Sequence, residues 1–158
     1  TALAAVIPPT PDEVSAKFAA AVSMSGDATR GHAQYLGRCM ACHRAGSEGM
    51  AVGPDLITVK TKGRDGLLTA IVDPNKEVAP QYIAYDVTTK DGNAYSGLVA
   101  RDDANGVALK IMGGAEVALQ RSQIKGTVSS GRSLMPEGLA AGLTVQEMAD
   151  LLTFIEKL

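Results

Sequence analysis

Hydrophobic residues recur at helical spacing in both terminal parts of the chain. The segment that begins at Thr10 carries a capping box, with Thr10 as N-cap, Pro11 as the first helical residue and Glu13 as the reciprocal partner. A second capping box begins at Thr144 and closes at Glu147. Each box precedes an apolar stripe with the spacing of one buried helical face. The first stripe is Val14, Phe18 and Val22, and the second is Met148, Leu151, Leu152, Ile155 and Leu158.

Two further helices are predicted between these two. Gly26-Asp27 ends the first helix and caps the next one, which runs up to Arg38. A shorter helix is predicted from about Asp65 to Val72, where Asp73-Pro74 ends it. A Gly-rich loop, residues 46–53, lies between these two helices.

The hydrophobic period changes from helical to alternating after Tyr82. Residues 83–90 alternate in the two-residue repeat of a half-buried strand, and Asp91-Gly92 is a strong hairpin signal. Three more short strands, separated by turns, are predicted around residues 95–101, 107–111 and 117–119. Residues 82–125 are therefore predicted to form a small antiparallel β-meander or barrel.

Together these elements predict a mainly α fold with a β-meander or barrel inserted before the last loop and helix. Residues 1–9 are rich in Ala and Pro and are expected to form a flexible segment. A length of 158 residues suits one domain. We therefore expect a single domain over residues 10–158, with the β-rich insertion at about 82–125.

Charge and hydropathy exclude two classes of function. The formal net charge is −2, so the chain lacks the basic footprint of a nucleic-acid-binding protein. No apolar run approaches the ~20 residues that a transmembrane helix needs. The sequence starts with Thr1, and residues 1–7 are too short for a signal peptide. We interpret the chain as a processed mature protein or a piece of a longer one.

The strongest chemical signal is Cys39-Met40-Ala41-Cys42-His43, which holds both cysteines and one of the two histidines. This C-x-x-C-H spacing suits covalent haem attachment, in which two thiols add to vinyl groups and the histidine ligates iron. The alternatives are a disulfide, a redox C-x-x-C motif or half of a zinc site. Zinc needs about four ligands, and only His32 and carboxylates remain. A redox motif follows a strand, whereas the residues before Cys39 are predicted to be helical.

The ring nitrogen of His43 that does not bind iron carries an N–H group that needs an acceptor, because such a partner fixes the orientation of a ligating imidazole. The carbonyl of Pro54 is a candidate for this acceptor, since it lies in stiff backbone shortly after the motif. The alternative is that Gly53-Pro54 is only a turn.

Met135 is the preferred candidate for the second axial ligand. It lies in a loop, residues 131–138, that Pro136 restrains. Its main rival is His32, which is only seven residues before Cys39 in the same predicted helix. The other thioethers lie in the attachment turn, in flexible loops, on predicted helices or in the strand insertion: Met24, Met40, Met50, Met112 and Met148.

These residues resemble a class I c-type cytochrome. The resemblance implies a helical haem domain in which Gly31 and Tyr35 cross the final helix near Phe154. The segments that carry it are Gly26-Asp27, Gly31, Tyr35, the C-x-x-C-H motif, Gly53-Pro54-Asp55-Leu56, Leu134-Met135-Pro136 and residues 144–158.

A narrower set of segments resembles a bacterial extracytoplasmic haem-binding domain family with a β-insert. Its members often end large proteins that carry dehydrogenase-like or propeller domains, so the resemblance implies an excised domain. The implied order is cytochrome helices, β-insert, Met loop and last helix. The matching segments are residues 71–76, Tyr82, 88–92, 95–97 and 134–139.

Electron transfer is the function that these features predict. One haem c, attached through Cys39 and Cys42 and ligated by His43 and Met135, would carry single electrons. The expected partner is a redox protein or a fused dehydrogenase domain. The alternative is binding or sensing of CO or NO through a displaceable Met135. Enzymatic activity is not expected, because His32 is poorly placed for distal acid–base catalysis.

The motif also predicts where the protein is located. Covalent haem attachment takes place outside the bacterial cytoplasm in the systems that the motif resembles, so a periplasmic or other extracytoplasmic location is predicted.

Four basic residues are expected either to surround the haem edge and its propionates or to be ordinary solvated charges. They are Arg44, Lys60, Lys62 and Arg64.

Overall fold

Five α-helices and five β-strands make up the regular part of the chain in a computed structural model that describes residues 5–158. The helices are α1 (Pro11–Phe18), α2 (Ala28–Arg38), α3 (Leu56–Val59), α4 (Gly63–Val72) and α5 (Val145–Glu156). The strands are β1 (Ile83–Thr89), β2 (Ala94–Asp102), β3 (Gly106–Lys110), β4 (Glu116–Gln120) and β5 (Ile124–Ser133). Within the predicted flexible segment, residues 5–9 have no regular structure and residues 1–4 lie outside the described part.

Both predicted capping boxes are present. The Thr10 backbone N–H donates to the Glu13 carboxylate at 2.7 Å, and the Glu13 N–H donates to the Thr10 hydroxyl at 3.3 Å. The same reciprocal pair joins Thr144 and Glu147, at 2.7 and 3.1 Å. Local sequence is therefore sufficient to define where α1 and α5 begin.

The sheet is larger than predicted, and the prediction of a mainly α fold is wrong. The chain is 38% helix and 25% strand, in one antiparallel sheet with the strand order β4-β3-β2-β1-β5. Strand β5 was not predicted, because Ile124 and Val128 are its only large apolar residues and the rest is mostly Gly, Ser and charged residues. It is a strand because it pairs with β1, a contact between distant parts of the chain.

The helices and the sheet have separate buried clusters. The helical cluster includes Phe18 of α1, Tyr35 of α2 and Leu152 of α5, which are almost completely inaccessible to solvent. The sheet buries a smaller group, Val87, Val107, Leu109 and Leu119. The sheet therefore has a hydrophobic core of its own rather than only covering the helices.

Helices α2 and α5 cross where the resemblance to c-type cytochromes implies. A Cβ atom at Gly31 would overlap the Asp150 carbonyl and lie 2.7 Å from the Phe154 Cβ, so only glycine allows this approach. The rings of Tyr35 and Phe154 lie beside the crossing, with centroids 5.3 Å apart. The expected crossing of Gly31 and Tyr35 near Phe154 is confirmed.

A buried carboxylate joins the two crossing helices. Asp150, which is 1% exposed, accepts hydrogen bonds from the Asp27 N–H and the Arg30 guanidinium, both at 2.7 Å. Gln146 donates a further bond at 3.0 Å. The pKa of Asp150 is lowered from 3.8 to about 2, and the hydrogen bond from Arg30 is the largest cause. Burial of the carboxylate acts in the opposite direction and raises this pKa. The carboxylate therefore stays ionised in the folded protein well below neutral pH.

We predict that Asp150→Asn destabilises the protein by about 2 kcal/mol at pH 7. The pKa of the carboxyl is lower in the folded than in the unfolded state, so its contribution is present above about pH 4 and lost as the pH falls towards 2. Urea denaturation of both proteins between pH 2 and 7 measures this difference. The exposed Asp12→Asn is the control, and a destabilisation by Asp150→Asn that does not change with pH would contradict the prediction.

Candidate cofactor site

The C-x-x-C-H residues form a tight turn directly after α2. The His43 N–H donates to the Cys39 carbonyl at 2.8 Å, and the Cys42 N–H donates to the same oxygen at 3.1 Å. The two thiols are not joined by a disulfide. Burial raises the pKa of Cys39 to about 11 and also raises the pKa of Cys42, whereas a redox C-x-x-C motif needs a lowered thiol pKa. These features disfavour the disulfide and redox alternatives.

A zinc site is also disfavoured. Residues 5–158 contain no group of three or more His, Cys, Asp and Glu side chains that could surround a metal ion. His32 does not join the cysteines, because its Nε2 lies 2.6 Å from the Glu48 carboxylate and its ring packs against Tyr35 and Phe154. The cysteines and His43 therefore lack the further ligands that a closed zinc site requires.

The His43 imidazole is oriented by the carbonyl of Pro54. The distance from His43 Nδ1 to the Pro54 oxygen is 2.7 Å, and a carbonyl oxygen can only accept. Burial lowers the pKa of His43, so the ring is neutral at neutral pH and its single proton is on Nδ1. Nε2 therefore carries a lone pair that can bind a metal ion.

Close packing holds this ring in place. A Cβ atom at Gly53 would lie 2.6 Å from His43 Cε1 and 3.0 Å from Nδ1, so the glycine leaves the space that the ring occupies. The Tyr35 hydroxyl donates to the His43 carbonyl at 3.0 Å, which links the turn to α2. The imidazole is thus fixed by contacts to its ring and to its backbone.

The turn opens into a largely apolar cavity of about 520 Å³. Cys39, Cys42 and His43 line it together with Met135. The remaining wall comes from the loop before α3, from α3, α4, the segment after α4, the Met loop and α5, and from Leu98 and Ser133 of the sheet. Its apolar members are Val52, Pro54, Leu56, Val59, Leu67, Ala70, Ile71, Pro74, Val78, Ala79, Pro80, Leu98, Leu134 and Ile155. Lys62 and Glu77 are the ionisable residues on this wall apart from the cysteines, His43 and Tyr82.

Met135 is the one methionine among the six, all of them in the described part of the chain, that lines the cavity. Met148 is fully buried in the helical core and Met24 packs against it. The other three are exposed side chains: Met40, Met50 and Met112. His32 does not line the cavity either.

The sheet contacts the attachment turn, which sequence reasoning did not predict. The Gly113 N–H, in the β3–β4 turn, donates to the Ala41 carbonyl at 3.0 Å. Burial raises the pKa of the Cys42 thiol, and the Gly113 N–H acts in the opposite direction and lowers it. Lys110 of β3 donates to the Ala51 carbonyl at 3.2 Å, and Leu98 of β2 lines the cavity. The Gly113-Gly114 signal identifies a turn, but the surface that a turn meets depends on long-range folding.

The four basic residues have different surroundings. Arg64 is largely buried, and its guanidinium donates to the Ala21 and Met24 carbonyls, each at 2.9 Å. It therefore joins α4 to the chain after α1, and neither role expected for it applies. Lys60 donates to the Leu158 carbonyl, whereas Arg44 is exposed. Lys62 lies at the cavity wall.

The family model of cytochrome c matches residues 28–158, which include every element just described except α1. The chain belongs to the cytochrome c family. It is therefore a haem-binding electron-transfer cytochrome, and membership implies covalently bound haem c and redox partners. A comparison with curated proteins finds no match. No helix within residues 5–158 of the cytochrome combines the length and the hydrophobicity needed to cross a membrane.

The residues of the cavity fit this cofactor. Two unjoined thiols and a neutral imidazole with a free lone pair lie on one turn of the cytochrome, and a thioether lines the same apolar cavity. Thiols, imidazole and thioether are the groups that attach and ligate haem in cytochromes c. Apolar walls suit a large flat macrocycle, because they remove its surface from water.

We predict that Gly53→Ala destabilises the cytochrome by about 1–3 kcal/mol, because the new methyl group would displace the His43 ring from the Pro54 carbonyl. Urea denaturation followed by circular dichroism measures this loss. Gly37→Ala is the matched control, since a Cβ atom there meets nothing within 4 Å. Equal stability of the two variants would show that the ring is not held by this packing.

Proposed function

We propose that the chain is a mono-haem c-type cytochrome that carries single electrons. In this proposal Cys39 and Cys42 attach the haem, His43 and Met135 are the axial ligands, and Pro54 orients His43. The observation that carries the proposal is the shared cavity, which brings the two thiols and His43 together with a single methionine.

The protein contributes attachment, orientation and exclusion of water. Cys39 and Cys42 would attach the haem by adding each S–H across one vinyl group, with sulfur on one carbon, hydrogen on the other and no net oxidation. The lone pair on His43 Nε2 and the Met135 thioether would hold the iron, and the hydrogen bond from Nδ1 to the Pro54 carbonyl orients the imidazole. Bound haem supplies a one-electron change between ferric and ferrous iron. The electron comes from one redox partner and passes to another.

Ligation by one histidine and one methionine suits an electron carrier. A thioether is a softer and weaker donor than a second imidazole, so it favours the reduced state and raises the potential. With His43 and Met135 both holding it, the iron would need no ligand from outside the protein in either oxidation state. The apolar wall limits solvent rearrangement in the same step.

The finer organisation is also a proposal. Residues 10–158 form one cytochrome domain with the strands as an insertion, and the chain belongs to the bacterial subfamily with a β-insert. The contacts of Gly113 and Lys110 with the attachment loop support a shielding role for this insertion.

We propose a periplasmic or other extracytoplasmic location, as is common for cytochrome c domains. The proposed partner is a redox protein or a fused dehydrogenase domain, of which the family match supports the general class of redox partner.

No observation favours the gas-binding alternative. The family match gives no sign of gas sensing. Binding of CO or NO would require Met135 to leave the iron, so the two functions differ in how the unmutated protein responds to CO.

We predict that Met135→Ala lowers the reduction potential by on the order of 100 mV, within the roughly 0.8 V range that axial ligands span. It should also abolish the weak near-infrared band of a thioether bound to ferric iron, and allow CO to bind the reduced protein. Absorption spectra and a potentiometric titration of the purified holoprotein measure these changes.

Met112→Ala is the matched control, because Met112 is 53% exposed and does not line the cavity. It should leave the potential, the near-infrared band and the response to CO unchanged. An oxidised spectrum that Met135→Ala does not alter would refute the ligand assignment. Saturable binding of CO to the unmutated, reduced protein at low concentration would instead support gas binding.

A further inference from the structure

Asn75 connects the end of α4 to the loop that carries Met135. It follows Pro74, which is buried and lines the cavity, and it is itself half-buried. Its Oδ1 accepts from the Ser133 backbone N–H at 2.9 Å, and its Nδ2 donates to the Glu137 carboxylate at 2.8 Å. Ser133 and Glu137 lie on either side of Met135 in the sequence, so one amide holds both flanks of this residue.

The neighbouring backbone donors of the loop are also occupied. The Leu134 N–H donates to the Tyr82 carbonyl at 3.3 Å, and the Met135 N–H donates to the Ser133 hydroxyl at 3.1 Å. Arg132 pairs with the same Glu137 carboxylate at 3.0 Å. Glu137 and Arg132 are both substantially exposed, so that ion pair contributes little by itself. Asn75 is the partner that connects this loop to α4, whose residues line the cavity.

We propose that Asn75 is a positioning residue that holds the Met135 loop in place and thereby retains Met135 on the iron. The inference rests on the proposed ligation by Met135. The position needs one acceptor for the Ser133 N–H and one donor for the Glu137 carboxylate, and the asparagine amide supplies both. An aspartate would keep the acceptor but present a like charge to Glu137, and alanine would keep neither.

The consequence is a competition between Met135 and external ligands. The external ligand can bind only when the thioether has left the iron, so its apparent affinity reports how often the loop departs. Loss of the Asn75 bonds should increase the population of the departed state, because these bonds are made only when the loop is in place.

The test measures imidazole binding to the oxidised holoprotein by absorption spectroscopy. We expect Asn75→Ala to tighten the apparent imidazole affinity about tenfold, which corresponds to about 1.4 kcal/mol, and to weaken the near-infrared thioether band. Asn75→Asp should tighten it at least as much, because the new carboxylate faces Glu137. Adding Glu137→Gln to Asn75→Asp should restore an affinity close to that of the unmutated protein, since an amide donor again meets a carboxylate acceptor.

Asn93→Ala is the matched control, because it removes an asparagine–aspartate hydrogen bond of 2.9 Å in the β1–β2 turn, away from the Met loop. It should leave imidazole binding unchanged. Unchanged affinity in Asn75→Ala and Asn75→Asp, or failure of the double variant to restore it, would overturn the role of Asn75. If Met135→Ala itself leaves the spectrum and imidazole binding unchanged, the ligand assignment fails and this inference fails with it. A changed Met135→Ala beside an unchanged Asn75→Ala refutes the inference alone.

Discussion

The structure depends on hydrogen bonding to the backbone of the attachment turn. All six consecutive carbonyl groups from Cys39 to Arg44 accept a hydrogen bond, and all except that of Cys39 accept one from outside the turn. The Cys39, Met40 and Ala41 carbonyls accept from the N–H groups of His43, Met50 and Gly113, respectively. The Cys42 and Arg44 carbonyls accept from the N–H groups of Gly53 and Leu56, and the His43 carbonyl accepts from the Tyr35 hydroxyl. Because these donors come from α2, the following loop, α3 and the sheet, the turn cannot shift without breaking bonds to several elements. The positions of the two thiols and the imidazole follow from this network.

The two sides of the cavity are held in different ways. The cysteine and histidine side is held mainly by residues close in sequence, together with the contacts of Gly113 and Lys110 from the sheet. The methionine side is held by Asn75 and Tyr82, which are more than fifty residues away from Met135. On the first side, covalent attachment would add to the backbone network. On the second side, non-covalent contacts alone keep the proposed ligand in reach, so that side is the more easily displaced.

The parts of the fold that sequence could predict are those determined by local chemistry. The helix starts at Thr10 and Thr144 need only residues within one turn. The crossing at Gly31 is a long-range contact with Asp150 and Phe154, and it was expected from the resemblance to c-type cytochromes rather than from local chemistry. Strand β5 has no local signal, since its polar, Gly-containing segment becomes a strand only beside β1. For the same reason, Asn75 could be noticed as part of a motif but its contacts with the Met loop could not be predicted. The contact of Gly113 with Ala41 likewise depends on how the sheet packs on the helices.

The pairing of β1 with β5 explains how so large a sheet can be inserted in the chain between the C-x-x-C-H motif and the Met loop. Ile83 at the start of β1 pairs with Ser133 at the end of β5, so the chain enters and leaves the sheet at neighbouring points. The Leu134 N–H then donates to the Tyr82 carbonyl, which continues the contact one residue beyond the paired strands. Because entry and exit are joined, the length of the strands between them does not change where the Met loop begins. The loop therefore starts beside Tyr82, within reach of Asn75, and the sheet is free to extend to the attachment turn on its other side.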